Sequence, residues 1–243
     1  MTSLKHEGLS GAGFKVEESI ITKWTKGHES APKLRNSCYE QTRERIEGNL
    51  LPIKAIPVWS FNDSKDYFEF SMPNCSHLET GFTSNPEELT DQLYTSFKNR
   101  VSKFKFGFKD QVNRELLKYP DSKYKNQILR VLEKSPDHYP HGYCHGDMGF
   151  ANMLVEDGQI YMIDFTESFI ESPLMDLATM ALSLTSSLTT LAHCTCYVNI
   201  VYKLGLNQHQ IDVLALVKIL GYFKQNDTPE RIAELERFFN GFL

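Results

Sequence analysis

The stretch from Tyr143 to Phe165 constrains the fold of this chain more than any other, and it reads YCHGDMGFANMLVEDGQIYMIDF. The dipeptide Asp157-Gly158 separates two short apolar runs, Met153 to Val155 and Ile160 to Ile163. Because glycine readily adopts the positive φ that a tight turn requires, this pattern predicts a β-hairpin. A hairpin brings the residue before its first strand close to the residue after its second strand.

Three polar residues flank the predicted hairpin. Asp147 lies in a His145-Gly146-Asp147 loop, Asn152 follows it by five residues, and Asp164 ends the second strand. Phosphorylation of a hydroxyl by ATP requires a carboxylate that orients and deprotonates the acceptor, and hard oxygen ligands that hold Mg²⁺ on the phosphates. Asp147 suits the first role, and Asn152 and Asp164 suit the second. Each residue alone is also consistent with an ordinary turn or strand end, but the complete set favours catalysis.

These motifs, followed by Pro173-Leu174-Met175-Asp176-Leu177-Ala178, resemble the aminoglycoside phosphotransferase and choline kinase group. The resemblance is specific over residues 143–178 and fainter over residues 8–70. It implies a two-lobed, protein-kinase-like α+β fold, with a small antiparallel-sheet N-lobe and a mainly helical C-lobe. It implies ATP and Mg²⁺, with Asp147 as the base and Asn152 and Asp164 as metal ligands. Asp176 would begin a helix and bind the catalytic loop, which His145 would also support.

The first 73 residues are expected to form the lobe that binds the nucleotide. A glycine-rich turn over residues 8–13 includes Gly11 and Gly13, whose backbone amides are candidates for phosphate contacts. An ordinary hairpin turn would have the same composition. The strand predicted over residues 19–24 carries Lys23 near its end. In the kinase-like fold, a lysine on the third strand contacts the α- and β-phosphates.

A helix predicted over residues 36–48, with Asn36 or Ser37 as its N-cap, would supply a glutamate that pairs with Lys23. Glu40 is the first choice and Glu44 the alternative, because spacing alone does not separate them.

Strands predicted over residues 53–61 and 66–72 complete the small sheet. By the resemblance, backbone groups of about Glu69 to Ser71 would meet the adenine. The segment from Pro73 to Pro86 has turn composition and is expected to join the two lobes, so that residues 74–243 form the C-lobe with the acceptor site.

The remainder of the chain has the apolar spacing of helices. They are predicted over residues 86–104, 111–118, 123–134, 177–191, 194–204, 208–223 and 229–242. Asp176 follows Asp164 by only 12 residues, which is too short a segment for a platform that docks a polypeptide, so a small-molecule or glycan acceptor is expected. Glu167 and Glu171 would suit a cationic acceptor.

Charge distribution points to a different kind of acceptor. The chain has a formal charge of −5, yet residues 98–130 contain ten basic and three acidic residues, a net charge of +7. One interpretation is that these basic residues lie on the solvated faces of helices. The other is a surface that attracts an anionic acceptor, such as an acidic glycan, a nucleic acid or a lipid headgroup.

Composition is that of a globular protein, with 41% hydrophobic residues and no apolar run of the ~18 residues that a membrane span needs. The N-terminal segment has no apolar core of the secretory kind, and the five cysteines are scattered, so reduced thiols and a cytoplasmic location are expected.

Two other functions stay open. One is a catalytically inactive, kinase-fold binding protein. The other is a metal-dependent hydrolase that uses His145, Asp147 and Asp164, with His138 and His141 as the candidates for the further ligands it would need.

Overall fold

The computed structural model describes residues 5–7, 12–26, 30–78, 86–120, 122–165, 170–184, 190–225, 233, 236, 237, 239 and 240. The strands of the N-terminal part are β1 (Lys5–Glu7), β2 (Ala12–Val16), β3 (Ile20–Lys26), β4 (Lys54–Ala55), β5 (Ser60–Ser64) and β6 (Tyr67–Pro73). Five of them form an antiparallel sheet in the order β1-β2-β3-β6-β5. The predicted small antiparallel sheet is therefore confirmed.

Helix α1 (Ser30–Glu47) covers one face of this sheet. Strand β6 alternates strictly, so that Phe68, Phe70 and Met72 are buried, and Leu34 and Cys38 of α1 belong to the same apolar cluster. The helix begins six residues before the predicted start. Asn36 and Ser37 lie within it and do not cap it, and Ser37 is buried.

The later strands are β7 (Ser76–His77), β8 (Val101–Lys105), β9 (Tyr139–Gly142), β10 (Met153–Glu156) and β11 (Gln159–Met162). A second sheet has the order β4-β11-β10-β7, and β8 pairs with β9 alone. The predicted hairpin is confirmed as β10–β11, with φ of 49° at Asp157 and 74° at Gly158. The single strand predicted over residues 53–61 is wrong: β4 joins the second sheet, and β5 joins the first, with Pro57 between them.

The later helices are α2 (Pro86–Arg100), α3 (Phe108–Leu116), α4 (Lys123–Lys134), α5 (Pro173–Ser183), α6 (Leu191–Leu204) and α7 (Gln208–Gln225). Helix α2 ends four residues earlier than predicted, because Val101 to Lys105 form β8. Helix α5 begins four residues earlier, because Ser172 accepts the Leu174 N–H as its N-cap. Most of the helix predicted over residues 229–242 lies outside the described residues.

Two apolar clusters surround the hairpin. The larger contains residues from all the later helices, and the smaller lies between the five-stranded sheet and α1. Leu154 and Ile163 of the hairpin region belong to the smaller cluster, whereas Met153 and Met162 belong to the larger. The hairpin is therefore fixed on both faces, which holds its two ends in place. The lobe boundary at residue 73 stays a prediction. Within the described residues, no helix has the combination of length and apolar composition that crosses a membrane.

Candidate active site

Asp147 and Asn152 are in direct contact. The Asn152 side-chain amide donates hydrogen bonds to Asp147 Oδ2 and to the Asp147 carbonyl, both at 2.9 Å. Asn152 ends a short 3₁₀ turn, Phe150–Asn152, directly before β10. Its carbonyl accepts the Ile163 N–H at 3.1 Å, and Asp164 is the next residue. The hairpin thus brings together the three residues that the sequence singled out.

Lys23 reaches this group from the other sheet. Its ammonium forms an ion pair with Asp164 Oδ1 across the gap between β3 and the end of β11. The Lys23 side chain is only 6% exposed, so its charge requires such a partner. Asp164 has a φ of 60°, which is uncommon for a residue other than glycine and often marks a functional position.

The donor set suits a magnesium ion bound to a nucleotide. Because the Asn152 amide nitrogen is used by Asp147, its amide oxygen remains for a metal. The Asp164 carboxylate is 30% exposed and adds a second hard oxygen ligand. Mg²⁺ typically takes one or two such protein ligands and completes its shell with water and phosphate oxygens.

The predicted pairing of Lys23 with a helix glutamate is wrong for both candidates in the described structure. Glu40 is partly buried and forms an ion pair with Arg43 of the same helix at 2.6 Å. Glu44 is buried, and its carboxylate accepts the Leu50 N–H at 2.7 Å and the Asn49 side chain at 2.9 Å. Burial raises the pKa of Glu44, although these hydrogen bonds oppose the shift.

The predicted adenine contact at Glu69 to Ser71 is also wrong. Strand β6 is central in its sheet and pairs with β3 on one side and β5 on the other. The backbone groups of Glu69, Phe70 and Ser71 are therefore used by neighbouring strands and are not free for a base.

The glycine-rich turn is described only in part, because Gly11 lies outside the described residues, as does Glu167. Gly13 pairs with Trp24 on β3, and a Cβ atom at Gly13 would lie 2.3 Å from the Trp24 ring. Packing against tryptophan is thus sufficient reason for glycine at this position. A phosphate contact at Gly13 stays a prediction.

Helix α5 supports the catalytic loop through one polar stripe. Asp176, Thr179 and Ser183 have helical spacing, so they lie on one face. Asp176 accepts the His145 N–H at 3.0 Å and the Gly146 N–H at 2.8 Å, and Ser183 accepts the Phe150 N–H at 3.2 Å. The predicted role of Asp176 is confirmed.

His145 also supports the loop, as expected. Its Nδ1 accepts the Asp147 N–H at 3.2 Å, and its ring packs on Phe165 with 4.4 Å between the ring centroids. Burial lowers the pKa of His145, which favours the neutral ring that can accept this hydrogen bond.

A fully buried ion pair joins Arg100, the last residue of α2, to Asp176. Burial opposes ionisation of Asp176, but the Arg100 charge and the donors of the loop hold its pKa below the ordinary value of 3.8. Arg100 is one of the ten basic residues between positions 98 and 130, but it is fully buried and contributes nothing to the surface charge there.

Lys218 of α7 is the second residue whose role sequence reasoning missed. Its ammonium contacts the Gly146 carbonyl, Thr179 and Asp147. One signal was available in the sequence, since a single lysine interrupts the apolar run Val213 to Leu220.

An antiparallel sheet with one covering helix, a helical remainder and an Asp-Asn-Asp group beside a strand lysine define a protein-kinase-like fold. Residues 95–193 match the model of the phosphotransferase enzyme family. No curated protein matches the chain.

Solved structures with the same fold include small-molecule kinases. Choline kinase LicA from Streptococcus pneumoniae is 12% identical with a TM-score of 0.63, and the alignment covers 100% of this chain and 93% of that chain. A thermostable mutant of aminoglycoside phosphotransferase APH(4)-Ia, solved with AMP-PNP and hygromycin B, is 11% identical with a TM-score of 0.61, over 98% and 93% of the two chains. The Streptomyces rimosus enzyme APH(3'')-Id, solved with ADP and streptomycin, is 10% identical with a TM-score of 0.57, over 89% and 92%. The family match and this fold support a phosphotransferase.

Proposed function

We propose that this protein is a Mg²⁺-dependent kinase that transfers the γ-phosphate of ATP to a hydroxyl of a small molecule or glycan. The observation that carries the proposal is the position of Asn152, whose side chain contacts Asp147 and whose backbone contacts the residue before Asp164. Asn152 thus connects Asp147, on the acceptor side of the site, with the segment that carries Asp164, on the nucleotide side. The AMP-PNP and ADP complexes of proteins with this fold favour a nucleotide as the donor.

Asp147 acts as the general base in this proposal. It accepts the proton of the acceptor hydroxyl while the acceptor oxygen bonds to the γ-phosphorus. The bond from that phosphorus to the oxygen bridging the β-phosphate breaks, and ADP leaves with the bridging oxygen. The Asp147 side chain is 36% exposed, so an acceptor can approach it. The contact from Asn152 fixes the direction of the carboxylate.

Asn152 and Asp164 would hold the magnesium ion, and Lys23 would bind the α- and β-phosphates. When bound, the ion neutralises phosphate charge and orients the γ-phosphate. Lys23 keeps Asp164 paired and correctly oriented before the nucleotide arrives. Because β6 has no free backbone groups at residues 69–71, we place the adenine against the segment after it, where β7 is an edge strand.

The proposal is tested by ADP release from Mg-ATP in the presence of a panel of sugars, amino alcohols and aminoglycosides. A kinase gives faster ADP release with at least one acceptor, together with a phosphorylated product. Tight Mg-ATP binding with no turnover, even to water, would instead favour the inactive, kinase-fold binding protein.

Asp164→Asn is expected to weaken binding of Mg-ATP, because it removes a charged metal ligand. At 100 times its Kd, the nucleotide adds about 2.7 kcal/mol of stability, which raises the Tm of a chain of this size by about 5 to 10 °C. We expect most of this thermal shift to be lost in the variant. Asp157→Asn is the matched control, because Asp157 also has positive φ but lies at the opposite end of the hairpin. Equal thermal shifts in the two variants would contradict the role of Asp164.

The acceptor site is proposed to extend to a cavity of 560 Å³ between α3 and the β8–β9 pair. Its basic lining residues are Lys105, Arg114, Lys118 and His141, and its acidic ones are Glu115 and Glu171. Burial lowers the pKa of His141, and the charges of Lys105 and Lys103 add to this shift, whereas Glu171 opposes it. Strand β9 leads directly into the catalytic loop. We therefore favour an acceptor with a phosphate or carboxylate group over a cationic one.

Lys105→Glu and Arg114→Glu are each expected to raise the KM of such an acceptor about tenfold, as reversal of a contacting charge would do. The kcat and the KM for ATP should stay unchanged. Lys98→Glu is the control, because Lys98 is an exposed residue of α2 that does not line the cavity. Equal effects of all three changes would mean that the basic segment is only a solvated surface.

A metal-dependent hydrolase is less consistent with the structure. The described residues contain no group of three or more His, Cys, Asp or Glu side chains that are placed to hold a metal. His145 accepts a hydrogen bond from the backbone of the catalytic loop. His138 lies beside the rings of Phe104 and Phe106, and His141 lines the basic cavity.

A further inference from the structure

Lys218 lies on the face of α7 that otherwise carries buried apolar residues. It follows Ile211, Leu214 and Ala215 by seven, four and three residues, and these three are fully buried. Residues at these intervals lie on one face of a helix. The Lys218 side chain is 15% exposed. A lysine on a buried helix face is costly unless its charge and its donors are matched by partners.

The surrounding elements provide one acceptor for each N–H of the ammonium group. The Nζ atom donates to the Gly146 carbonyl at 2.7 Å and to Thr179 Oγ1 at 2.6 Å. The third partner is Asp147 Oδ1 at 3.4 Å. The two short bonds hold the ammonium against the catalytic loop and α5. The contact between Lys218 Nζ and Asp147 Oδ1 is longer than an ordinary hydrogen bond, so Oδ1 can still accept the proton of an acceptor hydroxyl.

The Asp147 carboxylate is therefore held from both sides, by Asn152 at Oδ2 and by Lys218 at Oδ1. Between Asp147 and Asn152 the loop reads Met-Gly-Phe-Ala and carries no charge of its own. The positive charge beside the Asp147 carboxylate comes from Lys218 of α7, a helix that begins more than 60 residues further along the chain.

We propose that Lys218 is a positioning residue for phosphoryl transfer, which fixes the Asp147 carboxylate in the orientation that receives the acceptor proton. The inference rests on the proposed kinase function and adds a residue to its site. It concerns the transfer step and not nucleotide binding, because Lys218 contacts neither Asn152 nor Asp164 among the contacts of the described residues.

The test uses ADP formation from Mg-ATP with water as the acceptor, which requires no knowledge of the natural acceptor. Lys218→Met is expected to lower kcat about 10- to 100-fold through misorientation of the base, with the KM for ATP within about twofold of wild type. Lys203→Met is the matched control, since Lys203 pairs with exposed Asp91 on the surface. An unchanged kcat, or an effect confined to the KM for ATP, would overturn the inference.

Chemical rescue separates positioning from a merely structural role. In Lys218→Ala, added n-butylammonium is expected to restore part of the lost turnover, because its ammonium can occupy the vacated position. Tetramethylammonium at the same concentration should not, since it has no N–H donors. Loss of activity with no rescue by n-butylammonium would assign Lys218 to structure alone.

A double-mutant cycle keeps the inference testable if the wild type does not turn over ATP, a result that would itself contradict the proposed function. Lys218→Met, Asp147→Asn and the double variant are compared by Tm. A direct contact predicts non-additive shifts, with Asp147→Asn changing the Tm less once Lys218 is absent. Additive shifts would show that Lys218 does not position Asp147.

Discussion

An Asp147→Asn variant is expected to form ADP about 100 to 10,000 times more slowly than wild type, which is the usual contribution of a general base. Asparagine has nearly the same shape as aspartate but cannot take up the acceptor proton. Nucleotide affinity should remain close to that of wild type, because Asp147 lies on the acceptor side of Asn152. Steady-state ADP formation and the thermal shift with Mg-ATP measure the two quantities separately.

Asp91→Asn is the control for this change, because it makes the same substitution at an exposed residue of α2. It should leave both quantities unchanged. If Asp147→Asn abolished nucleotide binding together with turnover, Asp147 would belong to the nucleotide site and the proposed base would be incorrect.

Arg100→Met is expected to give the largest loss of stability. It leaves Asp176 buried without its counter-ion, and breaking a fully buried ion pair in this way typically costs about 3 to 5 kcal/mol. For a chain of this size, the Tm should fall by about 6 to 20 °C in a thermal melt. Asp176 also holds the His145 and Gly146 N–H groups, so turnover should fall in the molecules that remain folded.

Arg35→Met is the matched control, because Arg35 forms a two-bond ion pair with Asp63 at the protein surface. Exposed pairs contribute little to stability. A double variant, Arg100→Met with Asp176→Asn, should recover part of the lost stability because no buried charge remains. Equal Tm losses for Arg100→Met and Arg35→Met would contradict this account of the buried pair.

Local patterns were sufficient to predict the hairpin and the group at its ends. A positive-φ turn between two apolar runs leaves few alternatives, and it places Asn152 beside the residue before Asp164. The role of Asp176 came from the resemblance, and its hydrogen bonds to the loop agree with it.

The contacts that could not be predicted from the sequence join residues that are far apart in the chain. Nothing near Lys23 indicates that it pairs with Asp164, 141 residues away, and not with a glutamate of α1. Strand β6 pairs with β5 across a short turn, but its other edge is occupied by β3, more than 40 residues earlier in the chain, and this distant pairing places β6 inside the sheet. The sequence places Arg100 in a basic segment and indicates no role for Lys218, because the buried acid and the loop that accept their charges lie far from them along the chain.

Calorimetric titration of ATP into the protein, with and without Mg²⁺, measures whether Lys23 and Asp164 bind a magnesium nucleotide. We expect saturable binding that requires Mg²⁺ and that is strongly weakened in Lys23→Met and Asp164→Asn but not in Asp157→Asn. Absence of binding, or binding of equal strength in the presence of a chelator, would contradict the claim that these residues hold a magnesium nucleotide.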